Sequence, residues 1–175
     1  MKATHLHTPL DIKTTRQLKA GDPVLLSGAV YSARDAAHIR FQRLLDHGLP
    51  LPFDLCDAVI YYTGPCPAPP GYTIGTAGPT TAGRMDSFAP ALHQAGLAAS
   101  IGKGKRSKEV RQTLQDYGRV YFGAVGGAGV LLARHINTCE VIAYPELGPE
   151  AVLRLVLDEF PLFVAYDSYG DSVYF

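Results

Sequence analysis

The chain has 175 residues, enough for one domain to bury a hydrophobic core, and we expect a single domain over residues 1–175. Its 16 basic and 16 acidic residues cancel and only 18% of residues are charged, which excludes a basic surface for nucleic acid or for an acidic membrane. Because no apolar run approaches a membrane span and the N-terminus lacks an apolar signal core, we expect a cytoplasmic protein.

The cysteines argue against a disulfide framework and against a metal site in this chain. Cys56, Cys66 and Cys139 are odd in number and fit no CxxC or zinc-binding spacing. We therefore expect a reducing compartment and no metal bound by this chain. No role for the three thiols follows from the sequence.

Strands and helices are expected to alternate along the chain. Apolar and β-branched runs predict a leading strand or arm at residues 5–10 and further strands at 24–31, 58–62, 72–74, 97–101, 119–122 and 138–144, with a closing hairpin at 162–175 that turns around Tyr169-Gly170-Asp171. This alternation predicts an α/β fold in which the strand directions are mixed.

Helices are predicted from apolar side chains at helical spacing and from end signals. Ser32 and Asp35 have the spacing of a capping box, so a helix should begin there, hold Arg34 in its first turn and end at Gly48. Further helices are expected at 85–94, where Pro90 should introduce a kink or divide the helix into two pieces, at 108–117, and at 149–160.

Residues 75–86, with the sequence GTAGPTTAGRMD, have the composition of a binding loop. They are too flexible for a core element and too rich in hydroxyl groups for an idle loop. A helix that starts after Pro79 would place Thr80 beside Arg84, with free amides at its N-terminus to receive a carboxylate or a phosphate. The alternative is a glycine-rich turn that is capped by threonine.

Two further cations stand at the ends of predicted elements. Arg34 in a first helical turn is slightly destabilising, because its positive charge opposes the helix dipole. An anion bound nearby would offset this effect. Lys103 lies between two glycines at a strand end, in a segment that does not match a Walker A motif, and from there it could reach a ligand as a point charge. The alternatives are a solvated surface arginine and an exposed basic turn. A second glycine-rich loop, at 123–129, lacks the dinucleotide-binding register.

Together these residues are suited to a small polyanion. Arg34, Thr80, Arg84 and Lys103 all lie at element ends, where the binding residues of α/β folds concentrate. Two arginines and a lysine exceed what one carboxylate needs, and they suit a dicarboxylate that bidentate guanidinium groups hold in a fixed orientation. Because no acid–base pair and no nucleophile triad accompanies them, the chain has the residues of half a site.

Five segments carry a resemblance to a known family: GAVYSARDAAH at 28–38, YTGPCP at 62–67, GTAGPTTAGRMD at 75–86, IGKG at 101–104, and residues 167–170. They resemble the β subunit, or C-terminal domain, of iron-sulfur class I fumarate hydratases and the related L-tartrate dehydratases. The resemblance covers nearly the whole chain, and GPTT followed by RMD is its specific motif. It implies a swivelling β/β/α domain with a mixed central sheet flanked by short helices.

The resemblance also implies a shared active site. An α subunit would carry a 4Fe-4S cluster on three cysteines of its own, and this chain would bind no cofactor. Arg34, Arg84 and Lys103 would hold the substrate carboxylates, and Thr80, with Arg84 and Lys103 as its catalytic partners, would move the proton at carbon while the cluster iron acts as a Lewis acid on the hydroxyl. Thr81, otherwise a substrate-binding residue, is the rival for the proton-transfer role.

These implications predict a hydro-lyase subunit that interconverts fumarate and L-malate as part of an αβ hetero-oligomer. Dehydration of L-tartrate to oxaloacetate is the second candidate reaction and hydration of mesaconate the third, since part of the substrate choice would lie in the α subunit. From a different class, the chain could be a non-catalytic module for carboxylate binding or for assembly. A neighbouring reading frame for an α-type partner would favour the enzyme.

Overall fold

The computed structural model describes residues 2–174, which form a mixed sheet with short helices. The strands of this range are β1 (Thr4–His7), β2 (Pro23–Ser32), β3 (Val59–Tyr61), β4 (Ala99–Gly102), β5 (Val120–Gly123), β6 (Ile136–Ala143) and β7 (Val152–Tyr166). Its α-helices are α1 (Ile12–Thr15), α2 (Asp35–Asp46), α3 (Ala89–Gln94), α4 (Lys108–Tyr117) and α5 (Gly129–Ala133), and 3-10 helices span Ala82–Met85 and Pro145–Glu150. The predicted α/β class with mixed strand directions is confirmed, whereas the swivelling of the domain stays a prediction.

The sheet closes on itself through β7. Strands β1 to β5 are parallel neighbours, and β7 is antiparallel to β5, to β6 and to β2. Because β7 pairs with both β2 and β5, the strands β2, β3, β4, β5 and β7 form a closed ring. The carboxyl ends of the parallel strands β2 to β5 therefore lie along one edge of this ring, which we call the strand-end edge.

Side-chain alternation along the ring strands builds two cores. Because successive side chains of a strand point to opposite faces, one set from all five ring strands can meet in the middle of the ring. That cluster includes Val24, Leu26, Val30, Val59, Tyr61, Ala99, Ile101, Val120, Phe122, Leu155 and Val164. The intervening residues pack against the helices, in a cluster that includes Ile60, Tyr62, Tyr121, Phe41, Leu92, Val110 and Leu114.

Helix α4 has the bounds that its sequence predicts, since both of its ends are specified locally. The Ser107 hydroxyl accepts a hydrogen bond from the Val110 amide at 3.2 Å and caps the N-terminus. Gly118 adopts φ 64° and ends the helix in the left-handed conformation that glycine tolerates best. Among the helices of residues 2–174, none is long and apolar enough to cross a membrane.

The predicted helix at 149–160 is wrong, because residues 152–160 belong to the long strand β7 and residues 149–150 end the 3-10 helix Pro145–Glu150. Its apolar residues satisfy a helical period, but over 153–157 burial alternates from residue to residue, as in a strand. Pairing with β2 on one side and β6 on the other gives the backbone hydrogen bonds that a helix would have made internally. Tertiary pairing therefore overrides the local pattern.

The capping box at the start of α2 is also wrong, although the helix itself is present. The Ser32 hydroxyl accepts a hydrogen bond from the Leu153 amide of β7 at 3.2 Å instead of capping α2. Arg34 is the N-cap residue, in extended conformation, rather than a residue of the first turn. The side chain of Arg34 therefore starts from a residue that lies just before the helix.

Three smaller expectations have mixed outcomes. Residues 72–74 form no strand. In the segment predicted as a helix at 85–94, Met85 ends the 3-10 helix and α3 covers 89–94, with Pro90 in its first turn rather than at a kink. An antiparallel return after β7 is confirmed by the bridge between Tyr166 and Ser172, and Phe175, the last residue of the predicted hairpin, lies outside the described residues.

Candidate functional site

The predicted site residues gather at the strand-end edge. Arg34 follows β2 by two residues, and Lys103 directly follows β4. The segment 75–86, which carries Thr80, Thr81 and Arg84, lies between the ends of β3 and β4. Parallel strands place all these ends on the same side of the sheet, so residues that are far apart in sequence become neighbours. This edge is the candidate functional site.

Segment 75–86 joins the sheet as a short extension between β3 and β4. The Thr80 amide donates to the Tyr62 carbonyl at 2.7 Å, and the Lys103 amide donates to the Thr80 carbonyl at 3.1 Å. The Ala82 amide then donates to the Lys103 carbonyl at 2.9 Å, and Thr81 and Lys103 form a parallel bridge. Backbone bonds therefore hold both threonines against the residue that carries the candidate ammonium group.

The predicted helix directly after Pro79 is wrong. Thr80 lies in no helix, Thr81 forms a bridge to Lys103, and the 3-10 helix begins only at Ala82. Thr80 and Arg84 consequently do not share a helical face, because the sheet-like bonds to Lys103 replace the helical bonds of the first turn. The side chain of Thr80 is half-buried and that of Thr81 is exposed.

Hydrogen bonds from β3 and from the second glycine-rich loop fix the start of the segment. The Tyr61 hydroxyl donates to the Ala77 carbonyl at 2.5 Å, and the Thr63 hydroxyl donates to the Gly78 carbonyl at 2.8 Å. From the other side, the Ala77 amide donates to the Gly129 carbonyl at 3.1 Å. A Cβ atom at position 129 would lie 3.0 Å from the Gly78 amide nitrogen, so glycine allows this close approach of two backbones.

Arg84 and Arg34 meet at one carboxylate. Arg84 Nε donates to Asp35 Oδ1 at 3.0 Å, and Arg34 Nη2 lies 3.7 Å from Asp35 Oδ2. Arg34 also faces Glu150, with 3.8 Å between its Nε atom and Glu150 Oε1. The two arginines, 50 residues apart in the sequence, are therefore neighbours. The carboxylates of Asp35 and Glu150 lie within ion-pair distance of their guanidinium groups.

Arg34 is enclosed more tightly than Arg84. Its side chain is 23% exposed, against 52% for Arg84. Gly64, just after β3, lies under it: a Cβ atom there would come within 2.9 Å of Arg34 Nη1 and 3.1 Å of the Pro149 carbonyl oxygen. Gly64 thus leaves the space that the arginine side chain occupies.

A buried ion pair lies behind the site and links its two loops. Arg106 Nε donates to Asp86 Oδ1 at 2.6 Å, and the Ser107 amide donates to Asp86 Oδ2 at 2.6 Å. The guanidinium group also donates to the Ser100 hydroxyl at 3.0 Å and lies over the rings of Tyr62 and Tyr121. Asp86 closes segment 75–86 and Arg106 follows Lys103 by three residues, so this pair connects the segments that carry Arg84 and Lys103.

The sequence expectations missed Asp35, Glu150 and the Asp86–Arg106 pair. An acid directly after Arg34 was a usable signal for Asp35, since adjacent opposite charges at a helix start often share one environment. For Asp86 and Arg106 there was no such signal, because they are 20 residues apart and only the fold buries them together.

His38 is buried beneath the arginines in its neutral form. Its ring Nδ1 lies 2.7 Å from the Arg34 carbonyl oxygen and can only donate to it, so Nε2 carries no proton. Burial lowers the pKa of His38 to about 4, and the Arg106 charge adds to that effect while the bond to the Arg34 carbonyl opposes it. A histidine of this kind stabilises the wall of the site and is not available as an acid near neutral pH.

The described residues do not provide a metal centre. Within residues 2–174, no three His, Cys, Asp or Glu side chains come together in a set that could hold a metal ion. Cys56 and Cys66 are exposed on separate loops, and Cys139 is partly buried on β6. Residues 2–174 therefore bring together no ligand set for an iron-sulfur cluster, and no ligand role is assigned to the three thiols.

Exposed apolar side chains lie on the loop after β5 and on α5. The loop after β5 passes beside Lys103, and a Cβ atom at Gly126 would lie 3.4 Å from the Cδ atom of that lysine. Val125, the residue before Gly126, is 62% exposed, and Val130 and Leu131 of α5 are each 60% exposed. Exposed apolar residues of this kind are typical of a contact surface.

Comparison with known proteins identifies the family. The family model described as "Fumarase C-terminus" matches residues 1–175. The chain is 39% identical over 174 residues to fumarate hydratase 2 of Leishmania major, which covers 97% of this chain and 30% of that protein. It is 40% identical over 151 residues to the anaerobic class I fumarate hydratase of Escherichia coli K12, covering 85% of this chain and 28% of that protein.

A shorter relative has about the size of this chain. The protein named as the β subunit of L(+)-tartrate dehydratase in Methanocaldococcus jannaschii is 39% identical over 168 residues, covering 93% of this chain and 86% of that protein. The chain thus spans under a third of the fumarate hydratases that it matches and most of the tartrate dehydratase subunit. With a family match over its full length, the chain belongs to the fumarase C-terminus family.

Proposed function

We propose that this chain is the β-type part of an iron-sulfur hydro-lyase that interconverts fumarate and L-malate. The observation that carries the proposal is the convergence of Arg34, Arg84 and Lys103 around the Thr80–Thr81 segment at one edge of the sheet. Three cations beside two hydroxyl groups suit a C4 dicarboxylate, whose two charges need two separate partners.

Arg34, Arg84 and Lys103 bind and orient the substrate in this proposal. The guanidinium groups hold carboxylates in fixed planes, and the Lys103 ammonium adds a third positive charge on the side of β4. Fixing both carboxylates holds the two central carbon atoms in one position relative to Thr80. The arrangement thereby determines which carbon receives the proton.

Thr80 transfers the proton at carbon, with Thr81 as the alternative. In the direction of hydration, the hydroxyl group of water adds to one alkene carbon and the threonine hydroxyl gives its proton to the other. The alkoxide left on the threonine is stabilised by neighbouring cations until it takes up the proton that the adding water molecule releases, and bulk water must be excluded for the alkoxide to persist. In the direction of malate dehydration, the same group takes the proton away.

A partner completes the site. The proposed α-type polypeptide carries the 4Fe-4S cluster, which supplies Lewis-acid chemistry at the substrate hydroxyl, and with this chain it forms an αβ hetero-oligomer in the cytoplasm. Two observations support a partner: relatives with fumarate hydratase names are more than three times longer than the region they share with this chain, and apolar side chains of the loop after β5 and of α5 are exposed.

A second candidate is the β subunit of an L-tartrate dehydratase. The observation in its favour is that the relative of that name is covered to 86% of its length, as expected for a separate small subunit. Mesaconate is a further candidate substrate. A non-catalytic module for carboxylate binding or assembly is the alternative from another class, and the absence of any α-type partner would favour it.

The test is anaerobic co-expression of this chain with its α-type partner, followed by assays with malate, tartrate and mesaconate. We expect the complex to turn over malate fastest and the isolated chain to be inactive on all three. Turnover by the isolated, metal-free chain would contradict the shared site. A complex that acts on tartrate but not on malate would favour the second candidate.

A further inference from the structure

Asp35 contacts both arginines of the proposed carboxylate clamp. Its Oδ1 atom accepts the Arg84 Nε hydrogen bond at 3.0 Å, and its Oδ2 atom lies 3.7 Å from Arg34 Nη2. Asp35 is the first residue of α2, a 12-residue helix whose N-terminal dipole favours an acid there. The carboxylate is therefore held on a rigid element, whereas Arg84 lies on a one-turn 3-10 helix.

The contact at Nε restricts how Arg84 can receive a ligand. A guanidinium group is planar and carries five N–H donors, so carboxylates bind along its edges. Asp35 occupies the Nε donor, which leaves the edge formed by the two terminal nitrogens for a second carboxylate. With its side chain 52% exposed, Arg84 can present that edge to a ligand without losing its bond to Asp35.

Arg34 is held in a different way. Its Nε atom is buried and makes no hydrogen bond within the described residues, and the same is true of Oδ2 of Asp35 and Oε1 of Glu150. The distances of 3.7 Å and 3.8 Å to these two oxygen atoms are those of ion pairs without hydrogen bonds. Arg34 is thus held near Arg84 by charge, while the orientation of Arg84 is fixed by a hydrogen bond.

We propose that Asp35 is a positioning residue for the carboxylate clamp. It fixes the Arg84 guanidinium so that its terminal edge receives one substrate carboxylate, and its charge keeps Arg34 in reach of the other. The inference rests on the proposed function and adds to it a residue that does not touch substrate. If Asp35 instead competed with the substrate for the arginines, removal of its charge would tighten substrate binding. The two hypotheses therefore predict changes in affinity of opposite sign.

The experiment compares Asp35→Ala and Asp35→Asn in the reconstituted complex, with succinate as a dicarboxylate that cannot be hydrated. Asn keeps an oxygen atom that can accept from Arg84 Nε, whereas Ala removes it. We expect Asp35→Ala to raise the KM for fumarate and the inhibition constant of succinate about tenfold, with a smaller change in kcat, because ground-state binding is lost. Asp35→Asn should stay within about threefold of the wild type, since a neutral acceptor keeps most of the geometry.

A matched control is Glu146→Ala, which removes an exposed acid that pairs with Arg40 of α2 and contacts neither Arg34 nor Arg84 through an ion pair. It should leave the succinate constant unchanged. Equal or tighter succinate binding by Asp35→Ala would overturn the inference, as would a lower Tm with an unchanged succinate constant, which is the result of a purely structural role. Arg84→Lys in the same assay separates failure of the proposed function from failure of the role of Asp35. If Arg84→Lys also binds succinate normally, the proposed function fails. If Arg84→Lys weakens succinate binding and Asp35→Ala does not, only the role of Asp35 fails.

Discussion

Two arginine–aspartate pairs lie close together at the strand-end edge and have opposite surroundings. In the rim pair, the side chains of Arg84 and Asp35 are 52% and 31% exposed. In the buried pair, Arg106 is 0% and Asp86 15% exposed. Arg84 and Asp86 are only two residues apart in the chain, so one short segment supplies a member of each pair.

The difference shows that the role of an arginine–aspartate pair depends on its burial. A pair in contact with water contributes little to stability, and the exposed arginine keeps donors for a ligand. All the partners of a buried pair are protein groups, and loss of one partner leaves an uncompensated charge. We therefore expect changes in the rim pair to alter activity and changes in the buried pair to alter stability.

The largest expected effect is on the buried pair. Asp86→Ala should lower the free energy of unfolding by about 3–5 kcal/mol, because the buried Arg106 guanidinium loses its counter-charge. Urea unfolding of the purified protein measures this change. Asp46→Ala, which removes an exposed acid at the end of α2, is the control and should change stability little. A loss at Asp86 no larger than that of the control would break the comparison.

The next effect is on the rim pair. Arg84→Lys should lower kcat/KM for fumarate about 100-fold, equivalent to about 2.7 kcal/mol of transition-state stabilisation, because lysine cannot reproduce a bidentate contact. Its unfolding free energy should stay close to that of the wild type, since the replaced side chain is exposed. Steady-state kinetics of the reconstituted complex and urea unfolding test both halves. Wild-type kinetics would remove Arg84 from the site.

Two histidines extend the comparison to pH. His38 Nδ1 lies 2.7 Å from the carbonyl oxygen of Arg34, the N-cap of α2, and His47 Nδ1 lies 2.7 Å from that of Arg43 in α2. The two histidines differ in that His38 is buried and His47 is exposed. Burial lowers the pKa of His38 to about 4, so below about pH 6.5 the unfolded chain binds a proton that the folded chain does not. Stability should therefore fall as the pH decreases through this window, by about 2 kcal/mol at pH 5 from His38 alone.

Unfolding measured between pH 7 and pH 5 tests this sign. His38→Gln should reduce the slope of stability against pH, and His47→Gln should leave it unchanged. His93, buried with its Nδ1 atom bonded to the Leu97 carbonyl, has a pKa lowered to about 4 by burial and contributes in the same direction. An unchanged slope in His38→Gln would contradict the assignment.

The smallest expected effect concerns the glycines of the loop after β5. Gly129→Ala should lower kcat/KM about three- to tenfold, because its Cβ atom would lie 3.0 Å from the Gly78 amide nitrogen and would shift segment 75–86. Gly126→Ala is the matched variant, since its Cβ atom would meet only the flexible Lys103 side chain at 3.4 Å. Equal activity of the two variants would show that the site tolerates displacement of segment 75–86.

The sequence by itself determined the elements with local signals and the residue types of the candidate site. Helix α4 has a serine cap and a terminal glycine, and β2 is a long apolar run, so both could be predicted. Arg34, Thr80, Thr81, Arg84 and Lys103 were recognisable as charged or hydroxyl groups at element ends, within motifs that resemble a known family. Their proposed roles stay predictions.

Only the tertiary structure decided how these parts meet. Strand β7 has a helical apolar period but becomes a strand because β2 and β6 offer it partners, and its pairing closes the ring. Thr80 lies outside a helix because its backbone bonds to Tyr62 and Lys103, and Asp35 contacts Arg84, 49 residues away in the sequence. The physical reason is the same in each case: pairing and burial involve residues far apart in sequence, and no local propensity specifies them.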